Sequence, residues 1–102
     1  MKVMIDICVS PGGVGLSVSP YVAECEKIFK AAGLSHNLHG YGTNVEGEWD
    51  EVMAAVKACH EKMHEMGAVR CSSNMRVGTR TDRDQTIQDK ISSVEQKLAT
   101  AD

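Results

Sequence analysis

The sequence predicts a single α+β domain spanning residues 1–102: one four-stranded antiparallel sheet, two helices over one face, and one more helix at the C-terminus. Three observations predict it. Two stretches alternate apolar and polar residues with period two. Two longer stretches repeat apolar residues with the 3.6-residue period of a helix. Glycine and proline punctuate the boundaries between them.

Lys2 to Ser10 alternate, with Val3, Ile5, Ile7 and Val9 on one side and Met4, Asp6, Cys8 and Ser10 on the other, which is the pattern of a half-buried strand. After the turn residues Pro11 to Gly15, Ser19 is expected to cap a helix whose first position is Pro20. Val22, Cys25, Ile28, Phe29 and Ala32 then share one helical face, and Gly33 supplies the left-handed stop. Ser35 to Gly47 is too short and too rich in His, Gly, Thr and Asn for a helix, and reads as two brief strands around a turn near Gly42. From Glu48 the stripe Trp49, Val52, Met53, Val56, Cys59, Met63 and Met66 marks a second helix ended by Gly67, with Glu48, Asp50 and Glu51 placed for its dipole. Val69, Cys71, Ser73, Met75 and Val77 alternate with polar neighbours as a last strand. Thr86 and Asp89 then form a capping-box-like pair before Ile87, Ile91, Val94 and Leu98.

Strand, helix, strand, strand, helix, strand is the split βαβ order of the ferredoxin-like fold. Both main helices cover one sheet face. The other face is expected to carry Asp6, Cys8, Ser10, Asn37, His39, Tyr41, Asn44, Glu46, Arg70, Ser72, Asn74 and Arg76, a mixture suited to a polar ligand or simply to water.

Hydrophobic residues at 42% supply a core, and a net charge of −3 offers no bulk attraction to nucleic acid or anionic lipid, so neither is an expected partner. The longest charge-free stretch, Ile7 to Ala23, holds two prolines and three glycines and does not read as a membrane span. Asp6 interrupts any signal-peptide core, which predicts a cytoplasmic protein. The cysteines Cys8, Cys25, Cys59 and Cys71 include no CxxC pair and read as reduced, buried thiols.

His60-Glu61-Lys62-Met63-His64 spells HExxH on a helix, the spacing of two zinc ligands one turn apart. Glu61 falls on the solvent face and no strong third ligand is evident, so zinc hydrolysis is the lesser reading and no metal is expected. Gly12, Gly13 and Gly15 follow a strand, yet neither a Walker loop nor GxGxxG can be read there. Cys59 and His60 are adjacent on a helix and point about 100° apart, which excludes a Cys–His pair. With no other nucleophile or acid–base constellation, the chain does not read as an enzyme. All four arginines, Arg70, Arg76, Arg80 and Arg83, fall in one span with Asp82 and Asp84; no aromatic residue is interleaved for base stacking, and ion pairing between subunits by Arg76, Arg80, Asp82 and Arg83 is the expected use.

The order of elements, the segment Gly42-Thr43-Asn44-Val45-Glu46-Gly47-Glu48-Trp49-Asp50-Glu51 and the run Gly78-Thr79-Arg80-Thr81-Asp82 with Asp89-Lys90-Ile91 resemble the thiamine-binding protein family, over nearly the whole chain. The resemblance implies a ferredoxin-like fold, assembly through the sheets into homodimers and homotetramers, and non-catalytic binding of thiamine or its hydroxymethylpyrimidine portion as ligand rather than cofactor. A homotetramer is expected, since a sheet covered on one side gains by facing another sheet. Thiamine carries a permanent thiazolium charge and an aminopyrimidine, which call for a carboxylate, hydrogen-bonding groups and an apolar or aromatic wall. On that ground Glu46 is the expected charge partner, Asp6 a second carboxylate, Thr43, Asn44 and Ser10 hydrogen-bonding groups, and Trp49 a stacking wall. Two other readings stand beside these: Trp49 as a core anchor of its helix, and Glu46 paired with Arg76 across the open face. At the level of the whole protein, the alternative is a regulatory or scaffold homo-oligomer with another ligand.

Overall fold

The computed structural model describes residues 1–100. Strand β1 (Lys2–Gly12) leads to helix α1 (Ser19–Ala31), then to strands β2 (Ser35–His39) and β3 (Gly42–Glu48), helix α2 (Trp49–Glu65), strand β4 (Arg70–Gly78) and helix α3 (Ile87–Thr100). The sheet order is β2-β3-β1-β4 and every pairing is antiparallel, which is the ferredoxin-like α+β arrangement with one helix added.

Alternation along β1 decides the layering. Val3, Ile5 and Ile7 are buried beneath the helices, and Val45 from β3 joins them. From above, α1 contributes Cys25 and Phe29, and α2 contributes Val52, Ala55, Cys59 and Met63. These side chains form one continuous core with Leu34 and Ala68. Burial of the larger members contributes about 1.5–3 kcal/mol each before entropy is set against it.

Several boundaries differ from the sequence expectation for identifiable reasons. β1 continues past Ser10 through Pro11 to Gly12, because β4 runs beside it as far as the Gly12–Arg70 pair. Val18, not Ser19, is the N-cap of α1, and its carbonyl receives the N–H groups of Tyr21 and Val22. Ala32 caps the other end and is exposed, with Gly33 at φ 71° leading the chain out. The turn between β2 and β3 is Gly40–Tyr41, since Gly42 already pairs with His39. Val69 precedes β4 and is exposed. Of the thiols, Cys25 and Cys59 are buried and Cys71 half-buried, while Cys8 is exposed on the open face.

Helix α3 begins with the reciprocal capping box that its sequence announces: Thr86 N–H donates to Asp89 Oδ2, and Asp89 N–H donates to Thr86 Oγ1, each at 3.0 Å. It buries none of its residues, and Ile91, Val94 and Leu98 stay exposed. Met75 and Val77 lie on the helix-side face of β4 opposite Ile7 and Ile5 and are also exposed. No helix of the described residues is long and apolar enough to cross a membrane.

Candidate functional site

The residues singled out from the sequence are distributed over three places. Alternation along β3 is the cause: Thr43 and Val45 face the helices, whereas Asn44 and Glu46 face the open side.

The first place is a slot of about 320 Å³ enclosed by α1, the end of β1 and the β2–β3 hairpin. Val18, Val22, Phe29, Ile7, Val9 and Leu38 make its walls apolar, Ser10 stands at its β1 edge, and the exposed ring of Tyr41 borders it. Its polar feature is a pair. Thr43, buried, donates its hydroxyl hydrogen to Glu26 Oε2 at 3.0 Å. Glu26 lies one helical turn after Val22 and three residues before Phe29, so α1 presents it on the same side as its apolar residues. Glu24, two residues earlier, lies outside the slot and accepts from Lys27 at 2.9 Å, a hydrogen bond that holds its carboxyl below the usual range. Sequence reading missed Glu26 because Glu24, Glu26 and Lys27 look alike as the charged side of a helix. The spacing from Val22 was the available signal.

The second place is the open face. Asp6 sits between Asn44 on β3 and Arg76 on β4. Its Oδ1 meets His39 Nε2 at 2.6 Å and accepts from Asn44 Nδ2 at 3.3 Å. Tyr41 N–H donates to His39 Nδ1 at 3.2 Å, which assigns the ring proton to Nε2 and makes His39 the donor to Asp6.

The third place is a groove of about 650 Å³ bounded by Lys2 to Met4, by Glu46 and Gly47, and by Gly78 to Arg80 and Asp82 to Thr86 with Lys90. Glu46 lies here, fully engaged. One oxygen accepts from Ser35 Oγ at 3.2 Å and the other from Ile87 N–H at 2.9 Å. It therefore ties the start of α3 to the sheet, and the alternative pairing with Arg76 is not formed: across β1, Arg76 stands opposite Asp6, whereas Glu46 stands opposite Met4. Arg80 Nε donates to Asp82 Oδ1 and Arg80 Nη1 to Gln85 Oε1, both at 2.6 Å, within the same chain. The Arg80 guanidinium holds the Asp82 carboxyl down at about 2, with Arg83 adding to the effect.

Trp49 opens α2 with its ring partly exposed, and its backbone N–H donates to Met1 O at 2.9 Å. The structure thus brings Thr43 to the slot, leaves Ser10 at its rim with the hydroxyl 3.9 Å from Cys8 Sγ on the open face, brings Asp6 and Asn44 to that open face, and sets Glu46 and Trp49 apart from both. The imidazoles of the HExxH segment have separate partners: His60 Nε2 lies 3.0 Å from Ser73 Oγ, and His64 Nδ1 lies 2.8 Å from Ala68 O.

Residues 5–95 match the family model described as thiamine-binding protein. The chain belongs to that family. Among its relatives, a UPF0045 protein of Synechocystis is 61% identical over 95 residues, covering 93% of this chain and 78% of the relative. One of Eremothecium gossypii is 46% identical over 100 residues, covering 97% and 95%. The crystal structure of a hypothetical protein from Methanocaldococcus jannaschii superposes with a TM-score of 0.85 at 31% identity, over 92% of this chain and 96% of that one. That of a Thermotoga maritima protein, whose suggested role is thiamine biosynthesis or salvage, shares the fold with a TM-score of 0.78 at 22% identity, over 92% and 99%.

Proposed function

We propose that this chain binds thiamine or its hydroxymethylpyrimidine half, without transforming it, in the slot between α1 and the β2–β3 hairpin. The observation that carries this reading is the Glu26–Thr43 pair set among apolar walls. A lone carboxylate in such surroundings favours a cation over water, and a hydrogen bond to a charged partner contributes about 1.5–3 kcal/mol. The thiazolium supplies the charge and the aminopyrimidine supplies N–H donors. The groove carboxylate of Glu46 has both oxygens bonded, and the carboxylate of Asp6 stands on the open face among polar neighbours rather than apolar walls, which favours Glu26 over either.

No lysine or arginine lines the slot, so a diphosphate tail finds no cation there and the unphosphorylated forms are the preferred ligands. Binding rather than turnover is supported by His39, the imidazole at the slot's rim, both of whose nitrogens are already bonded. Self-association is part of the same reading: Met75, Val77, Ile91, Val94 and Leu98 are apolar and uncovered in the single chain, and light scattering that reported only monomer at micromolar concentration would refute it. The free thiols fit the reducing cytoplasm.

Isothermal titration tests the ligand. Thiamine and hydroxymethylpyrimidine should saturate near one per chain and thiamine diphosphate should bind more weakly. Glu26→Gln should lower thiamine affinity by roughly tenfold or more, the scale of one charge-assisted hydrogen bond. Full affinity in that variant would remove Glu26, and the slot with it, from the binding reading.

A further inference from the structure

Tyr41 borders the slot, yet it is 92% exposed, so packing does not hold the ring where it stands. Its backbone is held by an unusual acceptor. The Tyr41 N–H donates to His39 Nδ1, and His39 is in turn locked through Nε2 to Asp6 on the neighbouring face. Gly42 pairs with His39 and carries no side chain, which leaves the imidazole room to reach diagonally to Asp6. The result is a continuous chain of contacts from β1 through β2 to the hairpin tip.

We propose that His39 is a positioning residue which, fixed by Asp6, sets the Gly40–Tyr41 turn so that the Tyr41 ring closes the slot over a planar cationic heterocycle. The inference rests on the slot as the ligand site and adds two residues to it: Tyr41 as the aromatic wall, and His39 acting through Tyr41. The chemistry is consistent at both ends. An electron-rich ring face attracts a thiazolium or protonated aminopyrimidine. A neutral imidazole whose proton is held at Nε2 offers Nδ1 as an acceptor.

A second proton at Nδ1 would set two donors against each other and release the turn, while the bond to Asp6 persists. The charged and polar groups around His39 are Asp6 and Cys8 on β1, Asn44 on β3, Asn37 on its own strand, and Arg76 beyond Asp6 on β4. Asp6 alone among them bonds to the ring.

Two variants separate the roles of the two nitrogens. In His39→Asn the amide oxygen stands near the Nδ1 position and still accepts from Tyr41, without a proton to gain. In His39→Gln the amide stands near Nε2 and keeps Asp6 but not Tyr41. Thiamine titrations at falling pH should show wild-type affinity lost once His39 carries its second proton, as read from its ring signals in NMR. The His39→Asn variant should stay flat across the same range, and the His39→Gln variant should be weak throughout, by roughly tenfold, as for Tyr41→Ala. Tyr41→Phe should bind as wild type. In parallel, the Tyr41 amide signal in NMR should follow the His39 titration without ligand present. If Glu26→Gln loses affinity but Tyr41→Ala does not, the slot stands and the role of Tyr41 is overturned. If thiamine fails to bind at all, the slot reading falls and the wall with it. A Tyr41 amide that ignores the His39 titration overturns the positioning role on its own.

Discussion

Replacing Gly42 with alanine should destabilise the fold through backbone contact alone. A Cβ at this position would stand 2.5 Å from the Ile7 carbonyl oxygen and 3.1 Å from its carbon. Ordinary contact starts at 3.4 Å, so β1 and β3 would have to part by about 0.9 Å at the hairpin end of their ladder, just beyond the Ile7–Thr43 pair. Overpacking of this kind costs about 2 kcal/mol, a sizeable share of the roughly 5–15 kcal/mol that a domain possesses. For a chain of this size that corresponds to a fall in Tm of about 8–16 °C. The control lies two residues away: a Cβ on Gly40 would meet nothing within 4 Å, and Gly40→Ala should shift stability by less than about 0.5 kcal/mol. Thermal and urea unfolding of both variants, followed by circular dichroism, makes the comparison. Equal stability of the two would refute the argument that a close strand approach makes glycine necessary at 42.

Three further outcomes are expected. Glu46→Gln should loosen α3 by weakening the acceptor for Ile87 N–H, costing about 1 kcal/mol locally and lowering helix content while thiamine affinity stays unchanged; a loss of affinity would return Glu46 to the ligand site. Asp82 should titrate at about 2 rather than its ordinary 3.8; because its folded value is lowered, its help in ordering residues 80–85 is complete above the ordinary value and disappears as pH falls through 2. Carboxyl NMR reads this directly, and a midpoint near 3.8 would show that the Arg80 pair does not persist in solution. Among the thiols, Cys8 should be alkylated at once in the native protein and Cys71 more slowly. Cys59, whose thiol is pushed far up by its contact with Cys25 and by burial, should react only on unfolding; native labelling of Cys59 at the Cys8 rate would contradict the packing of α1 on α2.

The element order was readable because each element carried its own period: the alternation of Val3, Ile5 and Ile7 and the stripe Val52, Cys59 and Met63 need no tertiary information to interpret. The Thr86–Asp89 capping box was equally local. The site was harder to read because its parts are not neighbours in sequence. Thr43, Asn44 and Glu46 look like one cluster in the chain, yet period-two geometry divides them between the two faces, and that division follows from the same alternation used to place the strand. The partner of Thr43, Glu26, lies 17 residues earlier, and nothing before α1 docks on the sheet joins the two. The partners of Glu46, Ser35 and the amide of Ile87, are 11 and 41 residues away.

The sheet behaves as a partition with separately addressable sides. Odd-numbered positions of β3 shape the compartment beneath the helices and even-numbered ones shape the outer surface. Substitutions at Thr43 therefore reshape the slot and those at Glu46 the outer surface and the seat of α3, while the Asn44–Asp6–His39–Tyr41 contacts link the two sides at the hairpin. A scaffold so divided gives the protein engineer two libraries in one seven-residue strand, one for each side.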